Sequence, residues 1–354
     1  MTSIRQSTLN YESWLREQLK GDLDKAAIAK KHKKMEESAF AFLRATYWRW
    51  AESILEVCPD LAGAPAVLAV GDIHVENFGT WRDVDGRLVW GVNDFDEAAE
   101  MPFALDLVRL TVSALLVRGR KPITDQSIAA AILTGYRRGL QSPAPIVLER
   151  DWQWLRQSVE VPEKDRAKFW KKISAARSKS APQAYAKALE ASMPARGLTI
   201  KTAARSAGTG SLGRPRWIAI ADWRGAPVVR EAKAIVHSAW LLANNCADTR
   251  IHADAVAMGQ FRAIDPWLRR DGNIIVRRLS PNNRKIEIDD RVNAISPEML
   301  EAMGADLANV HVGLVDRRTA IKRDLDKRRK GWLAENARQA ADAVNSDYKA
   351  WKAR

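Results

Sequence analysis

Two short apolar runs in the first third of the chain each end in a loop crowded with carboxylates. No other feature limits the fold as much. Residues 66–70 (AVLAV) read as a buried strand and stop at Gly71-Asp72-Ile73-His74-Val75-Glu76-Asn77-Phe78-Gly79. Residues 87–92 (RLVWGV), reached through a turn at Asp85-Gly86, read as a second strand and stop at Asn93-Asp94-Phe95-Asp96-Glu97. The expectation is a small sheet from which two loops leave, each presenting a carboxylate, with the side-chain amide of Asn77 between them.

Charge singles out the same window. The chain of 354 residues has a formal net charge of +14, a balance that usually points to nucleic acid or another polyanion. Residues 66–110 nevertheless hold nine acids against three bases, net −6, so the rest of the chain carries +20. Much of the excess lies in 151–201, with eleven bases and five acids, and in 316–354, with twelve and six. An acidic island in a basic protein suits a divalent cation, which needs several hard oxygen ligands. Ordinary loop acids that merely cap turns are the bland alternative, and their patterning argues against it.

Around this island the texture changes along the chain. Residues 13–57 read as helices, 59–65 as a punctuated loop, and 103–118 and 125–139 as helices with apolar faces. Residues 144–195 read as helical, basic and Trp-bearing. From 199 to 288 glycines and short apolar runs take over, with strands expected at 216–221, 227–230 and 273–279 and a helix over 231–244. From 297 onward the chain is helical and charged. The order implies an α+β protein of at least two lobes, divided as 1–65, 66–195, 196–292 and 293–354. No apolar run is long enough for a membrane span and residues 1–10 lack the apolar core of a secretory signal. Two cysteines, Cys58 and Cys246, exclude a disulfide scaffold and a cysteine-built zinc module and fit a reducing cytoplasm.

Phosphoryl transfer to a hydroxyl uses the residue types of the two loops. One Asp takes the acceptor's proton, while an Asn and a second Asp hold the magnesium that bridges nucleotide phosphates. Asp72 and Asn77 are five apart and Asp94 follows seventeen later. Gly71-Asp72-x-His74-x-x-Asn77, then Val92-Asn93-Asp94-Phe95 and Asp106-Leu107, resemble the aminoglycoside and choline kinase branch of the kinase-like phosphotransferases. A His commonly precedes Gly-Asp there, and here it is Val70. The resemblance implies a two-lobe kinase-like fold that binds ATP and Mg2+ in the cleft, with Asp72 and His74 in the catalytic loop, Asn77 and Asp94 as metal ligands, and Asp96 as a second-metal carboxylate. A binuclear metallophosphoesterase, which also opens on Asp-x-His, needs an Asn-His pair and late histidines that five histidines do not provide.

A glycine-rich loop, Gly208-Thr209-Gly210-Ser211-Leu212-Gly213, precedes the strand at 216–221 and has the form that lets backbone N–H groups approach phosphates. It lacks the Gly-Lys-Ser/Thr of a Walker loop. A kinase-like fold wants a cation on the third strand of the same lobe. Arg230 at the end of its apolar strand is the first choice, although a bidentate Arg is not equivalent to Lys, and Lys233 is the alternative. Kinases place the glycine loop before the catalytic loop, and here the order is reversed, helical C-lobe first and β-rich N-lobe second. Leu307-Ala308-Asn309-Val310-His311 resembles the helix that precedes the catalytic loop in small-molecule kinases, so a circular permutation is the expectation.

The whole pattern also resembles a bacterial family, the domain of unknown function 2252, from about residue 35 to 315. The matching segments are 40–44, the Gly71–Gly79 and Asn93–Glu97 loops, the glycine loop, Arg230-Glu231-Ala232 and 276–279. Arg44 is a candidate for contact with phosphate or the Asp72 loop, against a plain ion pair. The expected function is an ATP/Mg2+ phosphotransferase acting on an unidentified acceptor, for which the basic surplus leaves an anion open. The alternatives are a nucleotide-binding pseudoenzyme and a basic nucleic-acid-binding protein. Trp48, Trp50, Trp152 and Trp154 at helical spacing read as core, and the basic tail at 317–330 as a solvated helix. His32, His237, His252 and His311 read as structural or exposed.

Overall fold

Ser3, Asp24 and Ser38 each turn a side-chain oxygen onto the free N–H groups of a helix start, which sets helices Ile4–Gln18, Lys25–Met35 and Ala39–Ala45. A fourth helix, Tyr47–Val57, follows directly. The computed structural model describes residues 2–119, 122–246, 248–284 and 295–353. It is a mixed α+β chain.

Ten strands follow among the described residues: β1 (Ala66–Ala69), β2 (Phe78–Arg82), β3 (Leu88–Val92), β4 (Ala99–Pro102), β5 (Ile146–Val147), β6 (Lys201–Ala204), β7 (Arg216–Trp223), β8 (Ala226–Ala234), β9 (Arg269–Asp271) and β10 (Ile274–Leu279). They form three antiparallel sheets, β1-β4, β2-β3-β5 and β6-β7-β8-β10-β9. The two strands expected to pair lie in different sheets. Asp83 accepts the N–H groups of Asp85 (3.1 Å) and Arg87 (2.9 Å) and closes β2 onto β3 as a hairpin. β1 is left to pair with β4, with Val67 opposite Met101.

The main core surrounds helix Phe103–Val117, which is apolar nearly all round and buried nearly all round. Helices Asp125–Gln141 and Pro297–His311 meet backbone to backbone. A Cβ on Gly135 would lie 1.8 Å from Glu301 O, and one on Gly304 2.1 Å from Ile132 O. Trp48 and Trp50 belong to this core, as their spacing implied, whereas Trp154 is exposed. In the basic tail the expected i,i+4 pairing occurs between Asp324 and Arg328.

The five-stranded sheet has its own layers. Helix Gln183–Ala191 packs on the face of Trp217, Ala219 and Ala232, and helix Glu163–Ser174 on the face of Ile218 and Val229. A boundary at 195/196 therefore cuts this sheet from the helices that cover it. The boundary at 292/293 lies outside the described residues.

The helix expected over 231–244 is a correction. Residues 231–234 complete β8, hydrogen-bonded to β7 on one side and β10 on the other, and only Ala239–Ala243 is helical. Two ladders override local propensity here. They also set a period of two, which puts Glu231 and Lys233 on one face and Arg230 on the other.

Candidate active site

β1 ends one residue before the Asp72 loop. Gly71 turns the chain at φ +77°, and a Cβ there would lie 2.3 Å from Glu97 O. Asp106, in the first turn of helix Phe103–Val117, accepts the N–H groups of Val70 (2.7 Å) and Gly71 (3.0 Å). The entry to the loop at Val70 is thus held by this carboxylate.

Asp72 follows with its two oxygens in different roles. Oδ1 accepts from Arg109 Nη2 at 2.5 Å, and the same nitrogen reaches Leu43 O at 2.9 Å. Oδ2 faces the cavity, 3.1 Å from where a Cβ on Gly210 would be. Burial raises the Asp72 carboxyl above its ordinary range, with Arg109 opposing it. His74 accepts the Glu76 N–H on Nδ1 at 3.2 Å and meets the Phe40 ring edge-on. Arg44 pairs with Glu76 of the same loop, so its ion pair is itself a contact with the Asp72 loop, and it lines the same cavity.

Asn77 ties the two loops together. Its Nδ2 donates to Asp72 O (3.2 Å) and Asp94 O (3.0 Å). That leaves Oδ1 buried with no hydrogen-bond partner among the described residues. Asp94 is 3.6 Å from Lys233 Nζ, and both oxygens of Asp96 accept from the same Nζ at 2.5 Å. Next along, Glu97 accepts from Arg214 Nη2 (2.6 Å) and the Ala239 N–H (2.8 Å), and burial raises its carboxyl against the pull of Arg214.

The glycine loop joins β6 to β7 and folds over these acids. Gly208 has φ +78°, and Ser211 Oγ accepts from Arg216 Nη2 at 2.8 Å. Gly208, Gly210 and Ser211 line the cavity with Asp72, His74, Asn77, Asp94 and Asp96. Gly213 (φ +97°) does not. It is pressed on Ile28, and its carbonyl accepts the Asp24 N–H at 3.0 Å, so it fastens the loop to helix Lys25–Met35.

The preference for Arg230 over Lys233 is reversed in the structure. Arg230 is on the sheet face away from the acids, donates to Ser192 O at 2.9 Å and lies 4.2 Å from the Trp267 ring centre. Glu231 shares the Lys233 face but is enclosed by Arg205, Arg216 (2.6 Å) and Arg277 (2.8 Å). The acidic partners of Lys233 are Asp96 and Asp94.

Sequence reasoning missed Lys31, Tyr11, Arg109 and Arg214. All four reach the Asp72 region from distant segments, and only the basic run at 30–34 marked any of them. The cavity that Lys31, Tyr11 and Arg214 help to line is small, about 60 Å3, and Arg109 lies buried behind Asp72. A second of about 350 Å3 lies beyond the Asn93–Glu97 loop, lined by Asn93, Phe95, Phe169, Leu268, Arg277 and Ser280 among others. Alternation along that loop sends Asp94 and Asp96 to the first cavity and Asn93 and Phe95 to the second.

Magnesium is held by one or two carboxylates plus substrate oxygens and water, not by an all-protein cage. The unsatisfied Asn77 Oδ1 beside Asp94 fits such a half-built site. Among the described residues no group of three or more His, Cys, Asp and Glu side chains converges to hold a metal by itself. Asp96 is taken up by Lys233.

This is an α+β chain in which two acid loops and a glycine loop line one cavity, with a strand-borne lysine bound to the acids. Residues 23–196 and 171–354 match the model of the family described as an uncharacterized protein conserved in bacteria, DUF2252, and the chain belongs to that family. No curated protein and no solved structure matches it. Among the described residues no helix is long and apolar enough to cross a membrane.

Proposed function

We propose that the protein is an ATP- and magnesium-dependent phosphotransferase with a kinase-like, circularly permuted fold, working in the cytoplasm on a hydroxyl-bearing acceptor. One observation carries the reading. The glycine loop lies on Asp72 with Gly210 against Oδ2, while Lys233, on β8, the third strand of the sheet counted from β6, lies 3.6 Å from Asp94. A glycine loop ahead of a third-strand lysine, facing a base Asp, an Asn and a metal-binding Asp, is the set of parts kinases use.

In this reading Asn77 Oδ1 and Asp94 hold the magnesium, which when bound neutralises charge on the phosphates. Lys233 would grip the phosphates, and Asp96, which it now holds, would be the further carboxylate available to the ion. The N–H groups of Gly208, Gly210 and Ser211 face the phosphate oxygens. Asp72 Oδ2 takes the proton of the acceptor hydroxyl as the new O–P bond forms and ADP leaves with the bridging oxygen. Arg109 holds Oδ1, which fixes the direction of Oδ2, and the raised proton affinity of Asp72 suits a base. The 350 Å3 cavity, partly apolar, suits base and ribose. Two features support the permutation: the third-strand position of Lys233, and helix Pro297–His311, whose end contacts Asp106 beside the start of the Asp72 loop.

The Arg109 contact favours a second reading, nucleotide binding without turnover, because a guanidinium on Asp72 opposes proton uptake. Equilibrium binding of ATP with and without Mg2+, followed by ATP consumption, tests both in wild type and Asp94→Ala. Magnesium-dependent binding that Asp94→Ala loses supports the site, and turnover separates enzyme from pseudoenzyme. Absence of nucleotide binding, with tight, salt-sensitive DNA or RNA binding indifferent to Asp94, overturns both.

A further inference from the structure

We propose that Lys31, on the N-terminal helix Lys25–Met35, is a second phosphate-binding cation of the Asp72 cavity, separate from Lys233 and from the glycine-loop backbone. The inference rests on the nucleotide reading above and adds a residue to it from outside the kinase-like parts.

The side chain is buried and ends in the cavity that Asp72, Asp94 and Gly210 line. Its Nζ donates to Gly210 O at 2.9 Å. It lies 4.6 Å from the centre of the Trp48 ring and 5.6 Å from that of Tyr11, two rings stacked 4.1 Å apart. Aromatic faces turned to an ammonium make a place for a cation.

What this place lacks is a counter-ion. Among the described residues no carboxylate forms an ion pair with Lys31, although a buried ammonium is costly without one. The charged and titratable groups facing it are Tyr11 and Glu12 from the first helix, Asp72 and Glu97 from the acid loops, and Arg214 behind the glycine loop. The three carboxylates are each bound elsewhere, Glu12 to His32, Asp72 to Arg109 and Glu97 to Arg214. Burial first, then the Arg214 charge, lower the Lys31 ammonium to about 7. An anion entering the cavity supplies the missing charge and draws a proton onto Nζ.

The same helix is also fastened to the loop that would cover the phosphates. Lys34 Nζ reaches Thr209 Oγ1 at 3.3 Å, and the Asp24 N–H, at the helix start, binds Gly213 O. Three contacts, with that of Lys31 itself to Gly210 O, therefore join this helix to the glycine loop.

Calorimetric titration of the full chain at pH 7, in two buffers of different ionisation heat, counts protons taken up on binding. The probes are Mg-ATP and inorganic pyrophosphate, and Lys31→Met is the comparison, which cancels the ligand's own protons. The uncharged, similarly shaped variant should melt no lower than wild type, since it removes an unpaired buried charge. Wild type is expected to take up about half a proton more per bound ligand than Lys31→Met, and to bind about tenfold more tightly. Mg-ATP binding that needs Asp94 but is the same within about twofold in Lys31→Met, with the same proton count, overturns the Lys31 proposal and leaves the nucleotide reading standing. No Mg-ATP binding to wild type overturns the nucleotide reading. Pyrophosphate binding with Lys31-dependent proton uptake would then still support Lys31 as an anion-binding group, and its absence would overturn that too.

Discussion

His311 Nε2 lies 3.0 Å from Asp106 Oδ2, and its other ring nitrogen, Nδ1, lies 2.7 Å from the Tyr136 hydroxyl. A carboxylate only accepts, so Nε2 donates to Asp106. Asp106 in turn holds Val70 and Gly71, so the entry to the Asp72 loop is tied, through Asp106, to a helix end 205 residues beyond that carboxylate. Five residues before His311 the same helix presents Asp306, which accepts the Val92 N–H at 2.8 Å and binds Arg262 at 2.9 Å. One helix, Pro297–His311, thereby sets the two acid loops relative to each other.

Asp106→Ala removes the acceptor of two buried N–H groups and of His311. Such groups cost about 1–3 kcal/mol each when left unpaired, so a stability loss on the order of 3 kcal/mol is expected. Urea unfolding measures it. An unchanged midpoint would mean that the loop entry is held by something other than this carboxylate.

Asp306→Ala leaves Arg262 buried without its counter-charge, and removing one partner of such a pair costs about 3–5 kcal/mol. In Asp306→Asn the amide oxygen can still accept the Val92 N–H, so a smaller loss is expected. If the two variants unfold at the same urea concentration, the charge of Asp306 contributes nothing.

Lys233→Met and Arg230→Met separate the two faces of β8. Lys233→Met is expected to abolish magnesium-dependent ATP binding in an equilibrium titration. Arg230→Met is expected to leave that affinity within about twofold, because Arg230 contacts Ser192 O and Trp267 on the far face. Equal losses in both would break the assignment of Lys233.

That pair also marks where the sequence stopped being legible. The acid loops and the glycine loop could be read locally, because each is a short run of polar residues and glycines beside an apolar strand. Which of Arg230 and Lys233 faces the acids depends on the strand's phase. A stretch with Ala232, Ala234 and Ala239 reads as helix until the ladders with β7 and β10 are known. β4 was missed because its partner β1 lies beyond both acid loops, and β2 because its first residues, Phe78 and Gly79, read as the end of the Asp72 loop. Lys31, Arg109 and His311 enter through tertiary packing alone, and no spacing in the chain announces that they meet Asp72 and Asp106.

Glu231 gives the sheet an acid-sensitive centre. Burial would raise its carboxyl, but Arg277, Arg216 and Arg205 outweigh it and hold the group far below its ordinary 4.5. The folded state therefore binds the proton more weakly than the unfolded chain. Its contribution is complete above about pH 4.5 and is lost as pH falls toward the depressed value. Glu231→Gln is expected to lower stability near neutral pH and to flatten the decline below pH 4.5, as read from urea midpoints against pH. A variant with the same acid slope as wild type would refute the assignment.

Gly210→Ala adds a methyl group where the loop meets Asp72. Its Cβ would lie 3.1 Å from both Asp72 Oδ2 and Arg44 O, a tight fit that a shift of a few tenths of an ångström relieves. Gly210 is not among the positive-φ glycines, whereas Gly208 is, at φ +78°. Gly208→Ala therefore carries a backbone cost of about 1–2 kcal/mol and should lower the melting temperature. Gly210→Ala should melt within a few degrees of wild type yet bind Mg-ATP at least about tenfold more weakly, because the methyl fills space over Asp72. Differential scanning fluorimetry and equilibrium titration on the two variants provide the comparison. If Gly210→Ala binds normally, the phosphates do not pass between this loop and Asp72.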